Sequence, residues 1–281
     1  MRDYGQFIER VRAWAEARPD VGAALLVGSA ARSAAPADEW SDVDVALFVD
    51  DPAPYLQDAA WLEGFGTPLL TFVERTAVGD SLERRVLFED GLEADFSLFP
   101  TAAIERLRFY VGAGEALGRG YRVLVDRAGL APLLERPVPS PPSSDAAALA
   151  QLASDVWYHA LWGGKKLRRG ELWVARSCVD CYLHARLVEL APLHARASDP
   201  AADTWHGGRF LERWAREGVV DGLWNSLSSG RDDVADAIRR SVALFDWLAD
   251  ETARLLGITI EIRRDEARAM LETLLAPVDL R

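Results

Sequence analysis

Three aspartates and a Gly-Ser pair are the residues of this sequence whose types and spacing most favour chemistry. Asp42 and Asp44 open one apolar run, and Asp95 lies inside another. Residues two apart on a strand share a face, and two carboxylates about 4 Å apart repel by roughly 4 kcal/mol at an effective dielectric near 20. A divalent cation offsets that repulsion, and Mg²⁺ prefers carboxylates with phosphate oxygens and water. We therefore predict a metal site formed by these three aspartates.

The Gly-Ser pair has the composition of a phosphate-binding turn. Gly28 permits close approach of a phosphate to the backbone, and Ser29 offers a hydroxyl and an N–H where a helix or turn is expected to begin. Arg32, expected one turn into that helix, adds a charge-assisted contact. Alone, a Gly-Ser pair is nearly always an ordinary turn, and an Asp-x-Asp pair in a strand is usually a solvated face. Their joint occurrence with a third aspartate favours the metal and phosphate site.

The elements that must position these residues form an α/β region up to about residue 136. Apolar residues at helical spacing predict a helix over residues 4–17. Thr101 is expected to cap a further helix after Pro100. Short apolar runs between turn residues predict the strands, at residues 23–27, 43–49, 68–74, 85–89, 92–99 and 121–126.

A proline- and serine-rich stretch, residues 137–144, predicts a linker, because proline lacks the N–H needed inside a sheet. We expect an N-terminal domain over residues 1–136 and a mostly α-helical domain over residues 145–281. Alanine-, leucine- and tryptophan-rich patterns predict its helices, at residues 145–168, 171–190, 207–216, 232–256 and 265–275. Ile258 to Ile262 alternates like a strand.

Composition narrows the class of protein. The 281 residues carry a formal charge of −12 and two cysteines, so a disulfide framework is not expected. An acidic chain is a poor general binder of nucleic acid and suits a cationic substrate, although an acidic surface also simply favours solubility. Without a signal-like or membrane-spanning run, we expect a cytoplasmic protein that does not bind a membrane.

Around the candidate site the sequence resembles the aminoglycoside 6-adenylyltransferase (streptomycin adenylyltransferase) family of the nucleotidyltransferase superfamily. Four segments carry the resemblance most clearly, at residues 26–32, 38–44, 94–100 and 165–172. The resemblance extends over nearly the whole chain. It implies an α/β (α+β) fold, with a nucleotidyltransferase domain whose mixed sheet is flanked by helices, followed by a helical substrate-binding domain.

The resemblance also implies a reaction. ATP would bind with its phosphates at Gly28 and Ser29, and one or two Mg²⁺ ions would bridge them to Asp42 and Asp44. AMP would pass to a hydroxyl of an aminoglycoside, at the 6-position of a streptomycin-like acceptor, with release of pyrophosphate. Asp95 would bind a second metal ion or act as the general base.

The second domain departs from the family pattern at one position. The pattern has an acidic residue suited to deprotonating the acceptor where this sequence has Ser177, and Asp180 lies one turn further on. Because residues three apart share a helix face, Asp180 is a candidate base. Lys165 and Lys166 are candidates for holding the triphosphate. Alternatively, this basic cluster offsets the dipole at a helix C-terminus.

Two further functions stay open at this point. In the first, the protein transfers a nucleotidyl group to another small-molecule acceptor, such as a lincosamide or a cell metabolite. A nucleotidyltransferase-like binding protein, for example the antitoxin half of a toxin pair, comes from a different class. Such proteins are usually short and lack a large second domain, so the length of this chain argues against them.

Overall fold

The computed structural model describes residues 4–32, 37–76, 81–109, 113–135, 145–204 and 207–276. The chain forms two compact units, Met1–Pro141 and Pro142–Arg281. The predicted linker of residues 137–144 lies outside the described residues, so the predicted domain boundaries stay a prediction.

The first unit contains a six-stranded sheet in the order β3-β4-β5-β2-β1-β6. Strands β2 and β5 pair in parallel and the other neighbours pair antiparallel, which confirms the expected mixed sheet. The strands are β1 Val21–Val27, β2 Val43–Val49, β3 Pro68–Arg75, β4 Leu82–Phe88, β5 Glu93–Pro100 and β6 Arg122–Asp126. The described α-helices of the first unit are α1 Tyr4–Ala17, α2 Ala53–Gln57, α3 Ala113–Gly118 and α4 Ala131–Leu134.

Helices and short helical turns cover the sheet because its central strands are apolar on both faces. The helix α1 buries Phe7 and Val11 against one face, beside Phe96 of β5. Full burial of such side chains contributes about 1.5–3 kcal/mol each. On the other face, Phe48 and Phe99 stack at 5.3 Å beneath a 3₁₀ segment, Thr101–Phe109.

The predicted helix after Pro100 begins at Thr101 and is 3₁₀-helical. The hydroxyl of Thr101 is buried and has no hydrogen-bond partner among the described residues, so Thr101 does not act as the expected cap.

The second unit is helical, as expected. Its described helices are α5 Asp145–Arg168, α6 Leu172–Ser177, α7 His184–Ser198, α8 Leu211–Trp214, α9 Val219–Ser226, α10 Val234–Leu256 and α11 Arg264–Leu275. Helix α10 buries residues three and four apart, including Ile238, Val242 and Phe245, as an amphipathic helix requires. These side chains share a core with Val156 of α5 and Leu187 of α7.

Three predicted elements of this unit need correction. The run predicted at 171–190 extends to Ser198 and contains a π-helical segment, Cys178–Leu183. The helix predicted at 207–216 shrinks to Leu211–Trp214, because Gly207 and Gly208 have positive φ angles.

The third correction concerns residues 258–262, which form no strand. Ile258, Ile260 and Ile262 instead pack from an extended segment onto the helical core. Helix α9 was not predicted. Across the described ranges, no helix is long and apolar enough to cross a membrane.

Candidate active site

The strand register places the candidate metal ligands side by side. Asp44 of β2 lies opposite Val27 of β1 and, on its other side, opposite Asp95 of β5. Asp95 in turn lies opposite Arg85 of β4, and Arg85 opposite Phe72 of β3. Since neighbours in register point to the same face of a sheet, these residues form one row across the sheet.

The three predicted aspartates converge on this row. Asp42, Asp44 and Asp95 each offer a carboxylate oxygen, and these oxygens lie within 4.8 Å of one another. Asp95 is only 7% exposed. Contrary to expectation, Asp42 precedes the strand, because β2 begins at Val43. The cluster nevertheless forms, with the oxygen donor set that suits Mg²⁺.

The loop before β2 is held in place by local hydrogen bonds. The Asp38 carboxylate accepts hydrogen bonds from the Trp40 N–H (2.9 Å) and the Ser41 hydroxyl (3.0 Å). The Tyr4 hydroxyl of α1 donates to the Ser41 carbonyl at 2.8 Å. These bonds fix the backbone directly before Asp42, so they position its carboxylate at the end of the sheet.

Gly28 is required at the site for a reason that the sequence alone did not predict. Its φ is +66°, a conformation that side chains other than glycine rarely adopt. A Cβ atom here would lie 1.8 Å from Oδ2 of Asp44. The absence of a side chain at position 28 therefore makes room first for the Asp44 carboxylate, in addition to any phosphate.

The buried hydroxyl of Ser29 is available for a hydrogen bond to a ligand. It is 3% exposed, and its Oγ has no hydrogen-bond partner among the described residues. A buried hydroxyl without a partner costs about 1–3 kcal/mol. A phosphate oxygen would supply the missing partner.

At Ser29 the structure has a turn, and the position expected for Arg32 is wrong. Gly28–Ala31 is a four-residue 3₁₀ turn, so Ser29 does not begin an α-helix and no full helix dipole points at the ligand. Arg32 follows the turn in an extended conformation, with φ −102° and ψ 152°, and is not one turn into a helix.

The electrostatics of the cluster favour a cation. Burial, together with the negative charges of Asp42, Asp95 and Glu83, raises the pKa of Asp44 to about 7, whereas Arg85 opposes the shift. The folded protein thus holds Asp44 as a carboxylate only at a free-energy cost. A divalent cation between the carboxylates would remove this cost.

Sequence reasoning missed two charged residues beside the cluster. The Arg85 guanidinium forms an ion pair with Asp95 and contacts Glu74 at 3.0 Å. Glu83 accepts a hydrogen bond from the Ser97 hydroxyl at 3.2 Å, and burial raises its pKa. The alternation of Glu83 and Arg85 in β4 is the signal that could have revealed them, since it places both on the face of Asp95.

The remaining predicted site residues belong to the second unit. Lys165 is exposed in the last turn of α5. Lys166 donates to Glu171 at 2.8 Å and lies 5.2 Å from the centre of the Trp162 ring. Both lysines lie at the C-terminal end of α5, which agrees with the alternative that the basic cluster offsets the helix dipole. Lys166 also has protein partners already.

Asp180 lies in the π-helical segment, and its carboxylate has several partners. It accepts hydrogen bonds from the Ser228 N–H (2.8 Å), the Ser228 hydroxyl (2.7 Å) and Arg176 (3.0 Å). Despite partial burial, these donors lower the pKa of Asp180. Asp180 is therefore a weaker base than an ordinary aspartate.

Two solved protein structures are similar to this chain. An aminoglycoside 6-adenyltransferase from Bacillus subtilis is 16% identical, with a TM-score of 0.46 over 99% of this chain and 100% of that chain. A nucleotidyltransferase-like protein from Exiguobacterium sibiricum 255-15 is 15% identical, with a TM-score of 0.38 over 97% and 89% of the two chains. A search of curated proteins gave no significant match.

The sequence as a whole matches one family model. The model for streptomycin adenylyltransferase aligns with residues 1–273, which include the first unit, most of the second and every predicted site residue. This match indicates an adenylyltransferase that acts on aminoglycosides. The chain, a nucleotidyltransferase, belongs to the streptomycin adenylyltransferase family.

Proposed function

We propose that this protein transfers AMP from ATP to a hydroxyl group of an aminoglycoside, at the 6-position of a streptomycin-like acceptor. The observation that carries the proposal is the convergence of Asp42, Asp44 and Asp95 within 4.8 Å, next to the turn of Gly28 and Ser29. Family membership supports the reaction type and the class of acceptor.

The residues of the cluster fit one or two Mg²⁺ ions. Asp42 and Asp44 would hold the ion that contacts the triphosphate, and Asp95 would hold a second one. When bound, Mg²⁺ supplies positive charge that stabilises the negative charge developing on the reacting phosphate oxygens. Ser29 supports this assignment, because its buried hydroxyl otherwise has no partner in the described chain.

The protein's own groups bind and orient the triphosphate. The Ser29 hydroxyl and the backbone N–H groups of the Gly28 turn donate to phosphate oxygens, and Arg32 adds positive charge. Such contacts place the α-phosphorus in line with the acceptor oxygen, and orientation of this kind accounts for a large part of phosphoryl-transfer catalysis.

In the reaction, the acceptor oxygen forms a bond to the α-phosphorus while the bond from that phosphorus to the bridging oxygen of pyrophosphate breaks. The hydroxyl proton leaves to a base, and the candidates are Asp95 and Asp180. The lowered pKa of Asp180 reduces its capacity to take a proton. Asp95 lies in the cluster itself, and in the alternative with one Mg²⁺ ion, where Asp95 holds no second ion, we favour it as the base.

A transfer assay tests the proposed function. Purified protein, ATP and Mg²⁺ are incubated with streptomycin or other aminoglycosides; pyrophosphate release is followed, and NMR locates the modified hydroxyl. We expect 6-adenylyl-streptomycin from the wild type and none from Asp44→Ala. Asp50→Ala is the matched control, because Asp50 is an exposed aspartate directly after the same strand. Turnover only with unrelated acceptors would contradict the proposed acceptor. If the protein does not bind Mg·ATP, the proposed transfer of AMP from ATP is refuted.

A further inference from the structure

The sheet face that carries the aspartate cluster continues beyond it onto β4 and β3. The row of Asp44 and Asp95 extends through Arg85 to Phe72. In the next rows of the same face, Glu74 lies opposite Glu83, and Leu70 opposite Leu87. We call Leu70, Phe72, Glu74, Glu83, Arg85 and Leu87 the shelf.

Two of the three apolar residues of the shelf, both on β3, are exposed although they belong to a sheet, and Leu87 is half-buried. Leu70 is 64% and Phe72 is 54% exposed. On the opposite face of β4, Val86 is buried in the core of the first unit. Exposed apolar side chains grouped beside polar ones are typical of binding surfaces, and this group adjoins the site of chemistry.

The charged residues of the shelf already surround one cation, the guanidinium of Arg85. The guanidinium of Arg85 contacts Glu74 at 3.0 Å and Glu83 at 3.9 Å, and it also pairs with Asp95. Three carboxylates therefore surround one guanidinium on this face. An acceptor that carries guanidinium or ammonium groups meets the same carboxylates, with Phe72 available for a cation–π contact.

The sheet geometry sets the length of acceptor that reaches the shelf. Neighbouring strands lie about 4.8 Å apart, so Phe72 on β3 is roughly 10 Å from Asp95 on β5 and roughly 14 Å from Asp44 on β2. An acceptor whose hydroxyl lies at the cluster touches Phe72 only if it extends over more than one ring. A single-ring acceptor does not span this distance.

We propose that the shelf binds the distal rings of a multi-ring cationic acceptor, and that Phe72 and Glu74 determine specificity for that acceptor. This inference rests on the proposed function, because it places the reacting hydroxyl at the aspartate cluster. It assigns to β3 and β4 a role in recognition that is separate from the chemistry at phosphorus.

The test compares two acceptors in the transfer assay. One is streptomycin, with three rings, and the other is its single-ring guanidinylated cyclitol. In Phe72→Ala we expect the KM for streptomycin to rise about tenfold, as loss of an aromatic–cation contact predicts. The KM for the cyclitol and the KM for ATP stay within twofold of the wild type. Glu74→Gln, which keeps the shape and removes the charge, shows the same pattern.

Val73→Ala is the matched control, because Val73 is the next residue of β3, is 37% exposed and points to the opposite face. All its kinetic constants should equal those of the wild type. Thermal unfolding of each variant checks folding, and calorimetric titration with streptomycin gives a readout of binding that is independent of turnover.

The outcomes separate this inference from the proposed function. If the wild type adenylylates streptomycin and Phe72→Ala has an unchanged KM, the role of the shelf is refuted while the function stands. If the wild type modifies no aminoglycoside, both fail. A change of molecular mass in Phe72→Ala by light scattering, with unchanged KM, would assign the patch to self-association and also refute the role of the shelf.

Discussion

Replacing Asp44 by asparagine should make the protein more stable and inactive at the same time. Asp44 lies among carboxylates whose oxygens are within 4.8 Å, and a pair of unit charges at that distance repels by roughly 3.5 kcal/mol at an effective dielectric near 20. Asparagine has the same shape, so it keeps the packing against Gly28 and removes the charge.

The pKa of Asp44 gives a second measure of the same cost. A rise from 3.8 to about 7 on folding corresponds to about 4 kcal/mol for the fully ionised carboxylate. This is an upper limit, because neighbouring groups relax when the charge is removed. We therefore expect Asp44→Asn to raise the free energy of unfolding by about 2 to 4 kcal/mol above pH 7 without divalent cations.

The sign of the pH dependence follows from linkage. The folded state holds the Asp44 proton more tightly than the unfolded state, so the wild type loses stability as pH rises from about 4 towards 7. The asparagine variant lacks this loss. Its advantage should be near zero at about pH 4, grow between the two pKa values and level off above pH 7.

Urea unfolding in EDTA at a series of pH values between 4 and 8 measures this effect. Asp50→Asn, at an exposed aspartate, is the control and should change stability by less than about 0.5 kcal/mol. Mg²⁺ should stabilise the wild type and leave Asp44→Asn unchanged. The reasoning is refuted if Asp44→Asn is less stable than the wild type, or if its advantage does not depend on pH.

Three further substitutions test the site. Gly28→Ala places a Cβ against the Asp44 carboxylate, so a Mn²⁺ titration should show affinity reduced at least tenfold; unchanged affinity would contradict the packing argument. Ser29→Ala should raise the free energy of unfolding by about 1 kcal/mol or more, because it removes a buried hydroxyl that has no partner among the described residues, and raise the KM for ATP about tenfold or more. A loss of stability above about 1 kcal/mol would instead assign Ser29 a structural role. Asp180→Asn should lower stability by about 1 kcal/mol, and single-turnover rates decide its chemistry: a fall of about a hundredfold identifies the base, and a rate within threefold of wild type excludes it.

Local sequence patterns predicted the strands of the first unit well. Buried apolar runs such as residues 43–49 have few alternatives to a strand, and the structure confirms all six within a few residues. The long amphipathic helices α5 and α10 were predicted for the same reason. The predictions that failed concern short elements. Near Gly207, glycines with positive φ angles decide the conformation, and around Ile260 the packing of an extended segment onto the helical core decides it.

The sequence by itself determined which residues we propose for the chemistry, because the proposal for Gly28, Ser29, Asp42, Asp44 and Asp95 depends on their types and spacing. Only the tertiary structure decided how they meet. Asp44 and Asp95 come together through the parallel register of β2 and β5, which local sequence does not encode.

The tertiary structure also decided the surroundings of those residues. Pairing of β4 with β5 brings Arg85 and Glu83 to the cluster, and the turn at Gly28 leaves the space that the Asp44 carboxylate fills. Long-range strand pairing depends on the free energy of the whole core. A pattern of neighbouring residues therefore identifies the candidate ligands. Their separation, the repulsion between their charges and the exposed shelf beside them exist only in the folded sheet.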